Sequence, residues 1–165
     1  MIGLPLGTFL ATQSFKGRNL LIGIINSLMS LPPVVVGLFV YINLSRSGPL
    51  GWLGILYTPT AMIIAQIILI LPIIGGLTTQ IIEDLQENYN DLFVSLVTPK
   101  VTTIKAYIID ARYSIITAIL AGLATGISEV GAVIIVGGNI DHLTRVMTTT
   151  ITMETSKGEL SLALA

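Results

Sequence analysis

No charged residue occurs between Ser47 and Ile82, and between Tyr113 and Ile140 there is one, Glu129. Nothing in a bilayer core solvates a charge, so long uncharged runs are the mark of segments that sit there. Only 10% of the 165 residues are charged and 53% are hydrophobic, against roughly 25% charged in a soluble domain. The mean hydropathy is +0.89. A backbone buried in lipid must satisfy its own hydrogen bonds, which leaves helices as the simplest spanning form for such runs. The expected fold is therefore all-α, a polytopic membrane helical bundle.

A spanning helix needs about 20 apolar residues. By that measure the spans fall at about 20–44, 58–77 and 113–136, within a single transmembrane domain over 1–165. The apolar stretches 1–11 and 159–165 are too short to cross alone. Both read as partial spans, and the chain is expected to be a fragment truncated at both ends. Pro32 and Pro33 stand in the middle of the first span, where they remove backbone donors and kink a helix. Such a kink either lines a pathway or serves packing alone. In the third span Ala118, Gly122 and Gly126 recur every four residues, and Gly122 with Gly126 makes a GxxxG pair that admits a close neighbouring helix.

Between the second and third spans lies a polar island, TTQIIEDLQENYNDLFVSLVTPKVTTIKAYIIDAR, over 78–112. Asn88, Asn90 and Asp91 are candidate caps for a short helix. Leu92, Phe93 and Leu96 then fall at a spacing that makes one apolar face. A short amphipathic helix on a membrane loop is either a docking surface for a soluble partner or a solvated connector. Basic residues on the island side are Lys16, Arg18, Lys100, Lys105 and Arg112, and on the other side Arg46, Arg145 and Lys157. The excess places the island in the cytoplasm by the positive-inside rule. The protein is expected in the plasma (inner) membrane, with the lipid bilayer as its solvent.

Several functions are excluded by what is missing. The net charge of −1 gives no basic field for nucleic acid. There is no cysteine and one histidine, His142, too few for a zinc centre or a Ser-His-Asp site. No GxxxxGK[ST] phosphate loop occurs, so no metal, cofactor or catalytic residue is expected.

Three stretches together resemble the permease subunit of a binding-protein-dependent ABC importer. NSLMSLPPVVVGLFVYINLSRSGPLGWLG, from Asn26 to Gly54, is similar to the Pro-Pro, Val-Val-x-Gly and Gly-Pro-Leu-Gly pattern of molybdate and tungstate permeases. The island stands where that family carries its ATPase-coupling loop. ISEVGAVIIVGGNIDHLTRVMTTTITMETSKGELSLALA, from Ile127 to Ala165, has the Glu-x-Gly and Gly-Gly-Asn-Ile of oxyanion permeases. Its Thr-Arg-Val-x-Thr-Thr and Glu-Thr-x-Lys-Gly segments look closest to the tungstate branch. The wider family has Glu-Ala-Ala in its coupling loop, then a glycine after three further residues. Here Asp91, Leu92 and Phe93 match the first three positions and Val97 the glycine, so both alanines and the glycine are replaced.

The resemblance implies a homodimeric permease that works with an ABC ATP-binding subunit and an oxyanion-binding protein outside, translocating tungstate. Asp91, Leu92, Phe93, Leu96 and Val97 would be the coupling residues. Molybdate or sulfate are alternatives of the same type. A stand-alone secondary transporter is the alternative of another class; it would use Gln66 and Glu129 as coupling groups near the midplane.

Glu129 is either part of a gate near the path or a structural hydrogen-bonding group between helices. Gly137, Gly138 and Asn139 make a sharp turn in the outer loop; the turn's amides are also candidates for a small anion nest. Arg145 and Lys157 are candidates for charge pairing with a binding protein or for anchoring at the interface. Thr148, Thr149 and Thr150 offer neutral donors to an oxyanion.

Overall fold

The computed structural model describes residues 2–163, without the side chains of Asn90, Lys100, Leu160 and Leu162. Met1, Leu164 and Ala165, at the outer ends of the two expected partial spans, lie outside the described residues. All regular structure among the described residues is helical: α1 (Gly3–Thr12), α2 (Arg18–Met29), α3 (Pro33–Leu44), a 3-10 turn (Gly51–Leu53), α4 (Pro59–Ser95), α5 (Lys100–Asp110), α6 (Arg112–Ser128), α7 (Gly131–Gly137), α8 (Met147–Lys157) and α9 (Leu160–Ala163). One of these, α4, is long and apolar enough over Pro59–Tyr89 to cross a membrane unaided. Two further pairs, α2 with α3 and α5 with α6, reach that standard only if each pair is taken as one broken span.

The chain falls into two compact units, one holding the residues up to Ser30 with Ile70–Ala124, the other Leu31–Leu69 with the residues from Thr125 onward. In the first, the 70–79 stretch of α4 is the hub. Gly7 of α1 comes so close that a Cβ there would lie 2.5 Å from the Gly75 carbonyl oxygen and 2.7 Å from Cβ of Thr78. The Thr79 hydroxyl sits 2.8 Å from the Gly75 oxygen and 3.2 Å from that of Gly7, so its one proton is shared across the contact. Gly76 receives Met29 and Asn26 of α2, and Gly122 of α6 receives Ile74 and Ile70. Small residues let backbones approach where lipid gives no hydrophobic drive for helix pairing. A second cluster, Ala11, Ile82, Tyr107 and Ala111, closes the polar end of this unit.

The core of the other unit is Val36, Val40 and Leu44 of α3, Ala61, Ala65 and Leu69 of α4, and Ala132 and Val136 of α7. Here α3 and α7 nearly touch: a Cβ on Gly37 would be 2.7 Å from Cα of Ala132. The Tyr57 amide donates to the Val136 carbonyl at 3.1 Å and ties the entry of α4 to the end of α7.

Three segments differ from the helices expected of them. The run 20–44 is not one kinked helix: α2 stops at Met29 and α3 starts afresh at Pro33. Pro33 takes the first helical position, where its missing N–H would have no partner anyway, and the Pro32 ring pushes Leu31 out of helical conformation. The run 113–136 is likewise divided at Glu129 and Val130 into α6 and α7. The island carries no separate short helix at 88–98. Instead α4 runs on to Ser95, because no proline or glycine interrupts 77–95 and a polar sequence is no obstacle to a helix. Asn88 does not cap; its Nδ2 donates to the Asp84 carbonyl one turn back, at 2.8 Å.

Candidate functional site

Most of the residues singled out from the sequence fall in two regions, one in each unit, while Pro32 and Pro33 stand at the start of α3 and Gly122 on the contact with α4. The first is the corner where α4 gives way to α5. Thr98 N–H donates to the Phe93 carbonyl at 3.1 Å and Val97 N–H to the Val94 carbonyl at 3.1 Å. This is the paired bonding of a Schellman helix ending, which places Val97 in the left-handed position normally held by glycine. Its φ is +50°. It is also the position that the resemblance to importer permeases matches to a glycine. Pro99 follows two residues later and opens α5.

The five expected coupling residues therefore divide. Leu92, Leu96 and Val97 are exposed, at 52%, 65% and 87%, with Val94 and Val101 exposed beside them. Asp91 is also exposed. Phe93 turns the other way, half-buried, with its ring edge-on to Tyr107 at 5.5 Å between centroids. Burial of Tyr107 pushes its phenol above the usual tyrosine value. A cleft of about 390 Å³ opens on this corner, lined by Gln86, Phe93, Val97, Thr98, Thr103 and Tyr107 among others. Exposed apolar side chains gathered in one place mark a surface that a protein partner or a membrane covers.

The second region surrounds the α6–α7 break. Glu129 is 7% exposed, and its Oε1 accepts the Ala132 amide at 2.9 Å. The carboxylate so satisfies one of the orphan donors at the start of α7. Its own carbonyl accepts the Thr148 hydroxyl at 3.1 Å. Gln66 Nε2 donates to the Gly126 carbonyl at 3.3 Å. The two groups that a secondary transporter would need as ion ligands are thus engaged in holding helix ends.

Gly137 ends α7, Gly138 follows at φ +70° and Asn139 at +50°. The Gly138 amide is taken by the Ile134 carbonyl and the Ile140 amide by the Thr144 hydroxyl, so these two amides are engaged within the turn. Arg145 pairs with Asp141 at 2.9 Å. The hydroxyls of Thr148, Thr149 and Thr150 donate to the carbonyls of Glu129 and Val146, which spends the donors expected for an oxyanion. Their role is to frame α8. Among the described residues no three His, Cys, Asp or Glu side chains gather as a metal site requires.

Sequence reasoning missed Thr144, which is buried, donates to the Gly137 carbonyl at 2.6 Å and braces the whole turn. It also read Arg18 only as a loop charge. In the fold Arg18 pairs with Glu83.

Residues 3–163 match the family model described as binding-protein-dependent transport system inner membrane component. The chain is 42% identical to a tungstate uptake system permease protein of Peptoclostridium acidaminophilum, over 99% of this chain and 72% of that one. It is 38% identical to a probable anion ABC transporter permease protein of Haloferax volcanii, over 99% of this chain and 73% of that one. A molybdenum transport system permease protein of Azotobacter vinelandii is more distant, at 26% identity over 88% of this chain and 68% of that one.

Proposed function

The chain belongs to the family of binding-protein-dependent transport system inner membrane components, and from that premise we propose that it is the permease subunit through which tungstate crosses the membrane. It is a multi-pass transport component of the inner membrane and not an enzyme. In the proposed assembly two copies form the pathway, a separate ATP-binding subunit hydrolyses ATP on the cytoplasmic side, and a soluble oxyanion-binding protein delivers substrate outside.

The observation that carries the coupling half of this reading is the exposed apolar corner Leu92, Val94, Leu96 and Val97 at the end of a helix whose preceding turns carry Glu83, Asp84, Glu87 and Asp91. The ATPase covers that corner. Alternation between inward-open and outward-open states then follows from rigid-body motion of the permease as the ATPase subunits close and part. The tungstate assignment rests on the likeness to the tungstate uptake system permease at 42% identity.

Leu96→Asp tests the coupling surface. A charge at an exposed site leaves folding intact, but it removes apolar contact where the partner docks. Uptake and ATPase stimulation by the binding protein should both fall while the yield of folded permease holds. Unchanged stimulation would remove this corner from the docking surface. Phe93 is a poorer probe, since its ring packs on Tyr107 and a change there disturbs the fold itself.

A further inference from the structure

The first acid beyond the uncharged run is Glu83, on α4 at the polar end of its spanning part. Its partner Arg18 begins α2, six residues after α1 ends. Arg18 does three things at once. Its Nε donates to the Leu10 carbonyl at 2.7 Å, its Nη2 to the Ala11 carbonyl at 3.4 Å, and Nη2 also pairs with a carboxylate oxygen of Glu83. Leu10 and Ala11 lie in the last turn of α1, where carbonyls lack helical partners and the helix dipole favours a cation. The guanidinium fork suits several acceptors at fixed angles, which an ammonium does not. One side chain thus binds the end of α1, the start of α2 and the flank of α4.

From Glu83 the helix runs on to Ser95, roughly 18 Å at 1.5 Å per residue, and ends at the exposed coupling corner. Apolar packing of Ile82 on Ala11 and of Phe93 on Tyr107 already flanks this extension, and the Arg18–Glu83 pair adds the directional, polar tie to the α1–α2 turn at its base.

We propose that Arg18 and Glu83 form a positioning clamp that fixes the α4 extension to the α1–α2 turn, so that displacement of the coupling corner moves α1 and α2 with α4. Neither residue touches substrate; both act through the helix that carries the docking surface. The inference rests on the coupling role proposed above for that corner.

The test has two readouts. These 165 residues include no cysteine, so Lys16→Cys with Ser95→Cys gives clean spin-label sites at the α1–α2 turn and the tip of α4. Their distance distribution is measured on the permease in detergent, for the otherwise unchanged chain and with Glu83→Ala, Arg18→Gln and both. Each single change should broaden the distribution, and the double change should broaden it no further, as two residues acting as one pair require. In proteoliposomes holding permease, ATPase and binding protein, tungstate taken up per ATP hydrolysed should fall several-fold in each single variant and no further in the double.

A distribution as narrow as that of the parent in Glu83→Ala overturns the clamp. So do effects that multiply in the double variant, or uptake and hydrolysis falling together in step with lost assembly. If the parent complex takes up no tungstate while its distance distribution is narrow and clamp-dependent, the functional reading fails and the clamp stands as a mechanical feature only.

Discussion

Val97→Gly should stabilise the protein. Val97 is held at φ +50° by the two bonds that end α4, and a left-handed conformation costs an L-residue about 1–2 kcal/mol. A β-branched side chain is among the worst fits for that region. Glycine removes the cost, but its freer unfolded chain returns about 0.5–1 kcal/mol. At 87% exposure the valine side chain contributes little burial to lose. The net gain is about 0.5–1 kcal/mol, from a change that leaves both closing hydrogen bonds in place because they are backbone bonds. Denaturant unfolding of the purified permease in mixed micelles, followed by circular dichroism, measures it. Val97→Ala keeps a Cβ and should gain less than glycine. A glycine variant of equal or lower stability would show that the corner is not strained as described.

Glu129→Gln should fold as the parent does, since the amide oxygen still accepts the Ala132 N–H, whereas Glu129→Leu leaves that buried donor without a partner and should cost about 1–3 kcal/mol; unfolding free energies of the two variants decide it. Gly7→Ala drives a methyl into the Gly75 carbonyl and should cost about 1–3 kcal/mol by forcing α1 away from α4, seen as a lower unfolding midpoint. Thr144→Val keeps the shape but orphans both the Gly137 carbonyl and the Ile140 amide, so the outer turn should become open to limited proteolysis at sites protected in the parent.

The membrane character and the family were legible because charge exclusion and a few spaced motifs survive in any one sequence. The helix breaks were less so. Pro32 and Pro33 were visible as a kink but not as a full stop, since proline is tolerated both within and at the start of spanning helices. The break at Glu129 carries no proline; a buried carboxylate that accepts the amide three residues on is a tertiary outcome. The island misled in another way. A change from apolar to polar composition suggests an element boundary, but α4 passes through it, because a helix satisfies its backbone equally well in lipid and in water. Val97 hid the end of that helix, since the residue that normally signals such an end is glycine. The threonines at 148–150 showed their chemistry but not their partners, which are carbonyls of this chain.

The transport we propose is passage of tungstate through this chain at the expense of ATP hydrolysed by a partner. Purified permease, its ATP-binding subunit and its binding protein are reconstituted together in proteoliposomes, isotopically enriched tungstate is added outside, and the enriched tungsten isotope inside is counted by mass spectrometry with and without ATP. Uptake should need all three proteins and ATP, and a matched excess of sulfate or molybdate should suppress it less than unlabelled tungstate does. Uptake driven by an ion gradient through the permease alone, or ATP-dependent uptake of another oxyanion with tungstate excluded, would contradict it.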